Sequence, residues 1–236
     1  MRRYKMLIAL IVAIVLISAI FFYNKESKLA NKNKAKEKIQ EVVECSGVIW
    51  ESSLDIIKMF LPQVNSEERK EEVTHVMLHF ISNAGNNIDN PYEIESIFEI
   101  LEEYELSTHY VIDREGQIYQ FTPENRVAYH AGKGTVVDYP HYENRLNHHS
   151  IGIEIMAIGT EEEMESMISK EDYELIDSSL IGYTKEQYEA VNLLLDDLLD
   201  RHKSIKKDRL HILGHDEYSE DKSDPGTLFD WDMINL

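Results

Sequence analysis

Ten histidines are spread through this chain of 236 residues, and two stand where position alone suggests chemistry. His79 lies at the end of the β-patterned run VTHVMLHF, and His215 follows the run LHILG. Strand ends hold a side chain rigidly at a sheet edge, and neutral imidazole is a common zinc ligand. Histidines of middling burial are nonetheless more often packing residues, so neither position decides anything alone. The stretch GHDEYSEDKSDPG is more specific. Nine positions separate His215 from Asp224, which Pro225 stiffens, and such a loop can fold back to bring two ligands onto one ion.

The elements that must position these groups can be read from periodicity. VTHVMLHF alternates, with His75, Met77 and His79 on one side and Val76, Leu78 and Phe80 on the other. Residues 108–113 and 117–121 read as strands around the turn Arg114-Glu115-Gly116, a β-hairpin, and SIGIEI (150–155) is a further strand. Asn90-Pro91-Tyr92-Glu93 joins a capping residue, a proline and a glutamate at helix-starting spacing, so a helix is expected from Pro91, with Ile94, Ile97, Phe98 and Leu101 as its buried stripe. Thr184 and Gln187 frame a capping box for a helix that buries Tyr188, Val191, Leu195 and Leu198 and ends near His202, where a cation suits the helix dipole. Residues 210–213 return as a strand. Residues 38–61 carry apolar residues near helical spacing, interrupted at Ser46-Gly47, which suggests two short helices. Residues 157–182 are acidic and weakly patterned, and read as a mobile surface insertion. Alternating helices and strands give an α/β (α+β) class with a mixed central β-sheet flanked by helices and no internal repeat.

Residues 6–23 contain no charged side chain, and as a helix they would span roughly 27 Å, close to a bilayer's hydrocarbon thickness. Arg2, Arg3 and Lys5 precede them, which by the positive-inside rule keeps the N-terminus cytoplasmic and places the remainder outside. The rival is a cleaved signal peptide, which Ile20-Phe21-Phe22-Tyr23 does not favour because no small residue marks a cleavage site. The first alternative makes the chain a single-pass membrane protein facing the cell wall, and the second a secreted one. Organisation is therefore expected as a cytoplasmic tip and transmembrane anchor over residues 1–23, a polar stalk with short helices over 24–72, and a catalytic domain over 73–236. A net charge of −20 argues against nucleic acid as a partner and against diffuse attraction to anionic wall polymers. The lone cysteine, Cys45, excludes a disulfide framework.

Five motifs in order, His79 in MLHF, HYVIDREGQIYQF, AYHAGKG, SIGIEI and GHDEYSEDKSDPG, resemble those of the zinc amidase family, which includes N-acetylmuramoyl-L-alanine amidases and peptidoglycan recognition proteins. The resemblance covers roughly residues 73–231. It implies that His79, His215 and Asp224 bind Zn2+ and leave a fourth position for water or the substrate carbonyl. It implies that Glu154 is the catalytic proton carrier, where the bland alternative is a strand carboxylate facing solvent. Alternation puts Gly152 and Glu154 opposite Ile151, Ile153 and Ile155. Lys222 matches a lysine that stabilises the oxyanion, against the alternative of a solvated loop lysine. His130 in HAGKG resembles a substrate-groove residue, with a packing role equally open. Thr108 stands where phage-type relatives carry a catalytic tyrosine, a departure that shifts the burden to Glu154. The remaining histidines, among them His75, His109 and His211, are expected to be structural or at the surface.

The resemblance implies hydrolysis of the amide between N-acetylmuramic acid and L-alanine of peptidoglycan or muropeptides, and the apolar run 6–23 adds the expectation of a membrane-tethered enzyme, taken as a monomer. The alternatives are a module that binds peptidoglycan without cutting it and an anchored structural protein that holds no metal. Retention of Asp224 together with Glu154 and Lys222 separates the first from both.

Overall fold

Alternation along two seven-residue strands sets the layers of this fold. The computed structural model describes residues 52–136 and 140–236. The apolar run 6–23, the stalk 24–37, Cys45 and the first of the two expected short helices lie outside the described residues. Among the described residues no helix is long and apolar enough to cross a membrane.

Strands β1 (Ile56–Lys58), β2 (Ser66–Glu68), β3 (His75–Ile81), β4 (Tyr110–Ile112), β5 (Ile118–Gln120), β6 (Arg126–Ala128), β7 (Ser150–Met156) and β8 (Ile212–Gly214) form two sheets. The larger has the order β1-β5-β4-β7-β3-β8, and β2 pairs with β6 in a small antiparallel ribbon. In the larger sheet only the β4–β5 hairpin is antiparallel, and β4, β7, β3 and β8 all run in one direction. The expected mixed sheet is therefore present, and the hairpin turn closes on Gly116, whose φ of 81° is one that L side chains rarely adopt.

Helices α1 (Ile94–Glu103), α2 (Leu146–His149), α3 (Glu161–Met164), α4 (Lys170–Tyr173) and α5 (Lys185–Arg201) accompany the sheets. Helix α5 starts with the capping box that the sequence announces: Thr184 accepts from the Gln187 amide while the Gln187 side chain accepts from the Thr184 amide. Its Tyr188, Val191, Leu194, Leu195 and Leu198 pack on Val76 and Leu78 of β3 and on Ile151, Ile153 and Ile155 of β7. Each such fully buried side chain contributes about 1.5–3 kcal/mol relative to exposure, so this layer is the main source of stability. The opposite face of the same strands carries His75, Met77 and His79 on β3, and Gly152 and Glu154 on β7. That face is covered only in part, by Ile97 and Leu101 of α1 over Val111 and Met156, and by Leu146 and Tyr218 over Met77 and its register neighbour Leu213.

Several expectations are corrected. Residues 54–60 are not helical: Ile56–Lys58 adds an edge strand parallel to β5, because the apolar residues there alternate over too short a span to commit to a helix. Helix α1 begins at Ile94, with Glu93 as its N-cap and no side-chain cap, so Asn90-Pro91 lies in the preceding turn. Residues 157–182 are folded. Helices α3 and α4 are capped by Thr160 and Ser169, and Ile158, Met164, Ile168 and Ile176 close over Ala84 as a small core of their own. The acidic residues mask that pattern because they occupy the exposed turns. His202 does cap α5, and its Nε2 lies 2.7 Å from Oε2 of the buried Glu124.

Candidate active site

Parallel strands put equivalent positions side by side, and the site is assembled from three of them. His79 and Glu154 are register partners across β3 and β7, and Gly214 pairs with Leu78, so His215 emerges beside His79 at the carboxyl ends of the strands. Carboxyl ends of parallel strands are the usual location of binding crevices in open α/β sheets. Here they open into a groove of about 560 Å³. All six residues singled out from the sequence, His79, His130, Glu154, His215, Lys222 and Asp224, line it.

The loop that follows β8 folds back as expected. The Asp216 amide donates to the Asp224 carbonyl at 2.9 Å, and this brings Asp224 Oδ2 within 2.7 Å of His79 Nδ1 and 3.1 Å of His215 Nδ1. The two ring nitrogens are themselves 3.1 Å apart. Among the described residues this is the one group of three histidine, cysteine or acidic side chains whose donor atoms, all within 4.8 Å of one another, suit a metal ion.

The proton inventory around the cluster states what it lacks. Ser150 Oγ donates to the Leu146 carbonyl at 2.6 Å, so towards His130 Nε2, 3.1 Å away, it can only accept. His130 therefore carries its proton on Nε2 and offers an Nδ1 lone pair to His79 Nε2, 3.0 Å away. His79 must then donate from Nε2, which leaves its Nδ1 unprotonated. His215 donates from Nε2 to the Ala131 carbonyl at 3.0 Å, which in the neutral ring leaves Nδ1 as the lone pair. Burial lowers the pKa of His79 and pushes that of His130 far down, so both rings are neutral. The Asp224 carboxyl faces the Nδ1 atoms of both His79 and His215. Two lone pairs and a carboxylate thus converge with no proton assigned between them, and a cation is the complement. Their separations are close to the edge of about 3.3 Å expected for a tetrahedron with bonds of about 2.0–2.1 Å. The donor set fits zinc.

Glu154 stands next to this cluster. Its Oε2 is a buried atom without a hydrogen-bond partner among the described residues. Burial, and secondarily the Asp224 charge, raises its pKa well above the ordinary carboxylate value, with Lys222 opposing the rise. Lys222 is the one lysine or arginine among the described residues lining the groove. Its charge is felt by both Glu154 and His79.

His130 lines the groove and bonds His79 through its Nδ1. Its ring occupies the space above Gly152, where a Cβ would come within 2.6 Å of it, so glycine is required at that position for the ring to sit there. Its backbone is held by Asn147, whose Oδ1 accepts from the amides of His130 and Ala131. Thr108 is buried with its hydroxyl donating to the Tyr110 carbonyl, so it takes no part in the groove. Sequence reasoning missed Asn147, Ser150 and Glu163. Ser150 and Gly152 lie within SIGIEI, but nothing in the string indicates that they seat a histidine from twenty residues away.

Comparisons with known proteins bear on the family and the fold. The family model for N-acetylmuramoyl-L-alanine amidase matches residues 69–227. The chain is 27% identical over 182 residues to the 1,6-anhydro-N-acetylmuramyl-L-alanine amidase AmpD of Escherichia coli, covering 72% of this chain and 85% of that one. It is 32% identical to the Citrobacter freundii AmpD over 127 residues, which are 53% of this chain and 54% of that one. A crystal structure of a selenomethionine derivative of AmpD superposes with a TM-score of 0.55 at 22% identity, covering 80% of this chain and 98% of the other. The Escherichia coli amidase AmiD, solved with anhydro-N-acetylmuramic acid-L-Ala-D-γ-Glu-L-Lys, gives 0.51 at 21% identity, covering 72% and 62%. With the family model matched across most of the sheet and both ends of the ligand cluster, the chain belongs to the N-acetylmuramoyl-L-alanine amidase family.

Proposed function

We propose that this chain is a zinc-dependent N-acetylmuramoyl-L-alanine amidase that cleaves the amide between the lactyl group of N-acetylmuramic acid and L-alanine of a peptidoglycan stem. The observation that carries the reading is the convergence of two imidazole Nδ1 atoms and one carboxylate beside a buried carboxyl oxygen that has no hydrogen-bond partner among the described residues. His79, His215 and Asp224 would hold the ion. When bound, zinc supplies a Lewis acid for the scissile carbonyl and acidifies water to a pKa of about 7.

The chain's own residues do the rest. Glu154 accepts a proton from the attacking water and delivers it to the departing alanine nitrogen, a task that suits a carboxyl whose pKa lies above the ordinary range. Lys222 places positive charge in the groove for the oxygen that becomes negative as the carbonyl turns tetrahedral, a contribution of typically a few kcal/mol. His130 fixes the ring plane and tautomer of His79. Ile100, Leu101 and Leu106 give one side of the groove an apolar wall. The apolar run 6–23 with its preceding basic residues supports tethering of the enzyme at the outer face of a membrane, with the muropeptide or wall as substrate there.

Incubating the zinc-loaded protein with purified muropeptides tests the reading. Release of stem peptides with a free L-alanine amino terminus, seen by mass spectrometry, is expected. Saturable binding of muropeptide without any such release would establish a recognition module in its place.

A further inference from the structure

Residues 157–183, rather than decorating the surface, hold the loop that carries Asp224. Two side chains make the connection. The Glu163 carboxylate accepts from the Thr160 amide at 2.7 Å through Oε2, closing the capping box of α3. Its other oxygen accepts from the Thr227 amide at 2.7 Å and from the Thr227 hydroxyl at 3.0 Å. Tyr183, at the far end of the segment, donates its hydroxyl to the Pro225 carbonyl at 2.6 Å. Between these anchors, Gly226 adopts a φ of 79°, and a Cβ there would come within 2.8 Å of Glu163 Oε1, so the loop backbone lies directly against the carboxylate. The three residues after Asp224 are thus bonded from outside at two points, both on the same segment.

We propose that this segment serves the metal site as a clamp, with Glu163 and Tyr183 as positioning residues that fix Asp224 for the ion; the proposal rests on the amidase reading above. The physical reason is the cost of ordering. Asp224 lies on an irregular loop, while His79 lies within a strand and His215 directly follows one. A loop carboxylate must be immobilised when the ion binds unless other bonds have immobilised it already. Outer partners of ligating groups commonly matter 10–100-fold in metal affinity.

The test uses the full chain and zinc alone, titrated against a chromophoric chelator, with unfolding midpoints of the metal-free proteins measured alongside. Tyr183→Phe removes one hydroxyl and keeps the ring against Tyr188 and Phe229. Glu163→Ala removes the other anchor. Thr160→Ala is the control, because it weakens the α3 cap while leaving the bonds from Glu163 to Thr227 in place. Tyr183→Phe and Glu163→Ala are each expected to weaken zinc binding about tenfold, and the double variant by less than the product, since both hold one loop. Thr160→Ala should stay within about twofold. Zinc affinities of Tyr183→Phe and Glu163→Ala equal to that of the unsubstituted chain would overturn the clamp, as would an equal loss in Thr160→Ala. If Glu163→Ala fails to fold, Tyr183→Phe decides alone. An unsubstituted chain that takes up no zinc would overturn the amidase reading and the clamp together, a result distinct from tight binding that the variants leave unchanged.

Discussion

His75 and His79 lie four residues apart on the same strand, face the same side of the sheet and are both buried, yet their surroundings prepare them for different work. His75 takes Thr74 Oγ1 at 2.7 Å on its Nδ1, stacks on the His211 ring at 5.1 Å and meets the edge of Tyr142 at 4.6 Å. These partners are rings and a hydroxyl, and among the described residues no carboxylate joins His75 in a metal-binding group. His79 has one nitrogen committed to His130 and the other aimed at a carboxylate and a second imidazole. Burial and residue type are common to the two positions. A histidine becomes a ligand here because a neighbour fixes its proton on the far nitrogen and because further donors converge on the near one.

The largest effects should come from breaking that convergence. His79→Ala or Asp224→Ala is expected to weaken zinc binding by at least about a hundredfold and to abolish muropeptide cleavage, because two ligands no longer make an open three-ligand site. His75→Phe should leave zinc affinity within about twofold, and a chelator titration of both variants separates the two ends of the strand. Next in size is Glu154→Gln, which preserves shape but cannot carry the proton: kcat should fall by roughly 10²–10⁴ with zinc stoichiometry intact, as read by muropeptide turnover. Smaller again is His130→Ala. It frees the ring of His79 and is expected to cost about 10–100-fold in zinc affinity, with partial recovery in His130→Gln, which retains an acceptor.

The smallest effect concerns His75 itself. Burial, aided by the charges of neighbouring histidines, lowers its pKa from 6.5 to about 4. The unfolded chain therefore binds a proton that the folded chain refuses between those values, and the contribution of this residue to stability is lost as pH falls from about 6.5 towards 4. His75→Phe cannot charge, so chemical denaturation across that window should show a shallower loss of stability than in the unsubstituted protein. A steeper loss would mean that His75 is protonated in the fold.

The sequence made the site more legible than its setting. His79, Glu154, His215, Lys222 and Asp224 sit in short strings whose residue types carry their chemistry, and the structure gathers them with His130 around one groove. Strands β3 and β7 were readable because alternation with period two persists over seven residues. The three-residue edge strand at Ile56–Lys58 was not, since three residues cannot distinguish one period from another. The start of α1 moved to Ile94 because its first turn is set by packing of Ile97 and Leu101 rather than by a capping side chain. The folding of residues 157–182 depends on long-range partners such as Ala84 and Thr227, which no local pattern reveals. The roles of Ser150 and Gly152 in seating His130 were hidden for the same reason.

The central claim is that His79 and His215 present Nδ1, and Asp224 a carboxylate oxygen, to a single zinc ion. A crystal structure of the zinc-soaked protein tests it most directly. One ion is expected, bonded to both Nδ1 atoms and to Asp224 at about 2.0–2.2 Å, with His79 Nε2 still on His130 and a further position open to the groove. Zinc bound through Nε2 of either ring, or these three side chains directed to separate places, would contradict it.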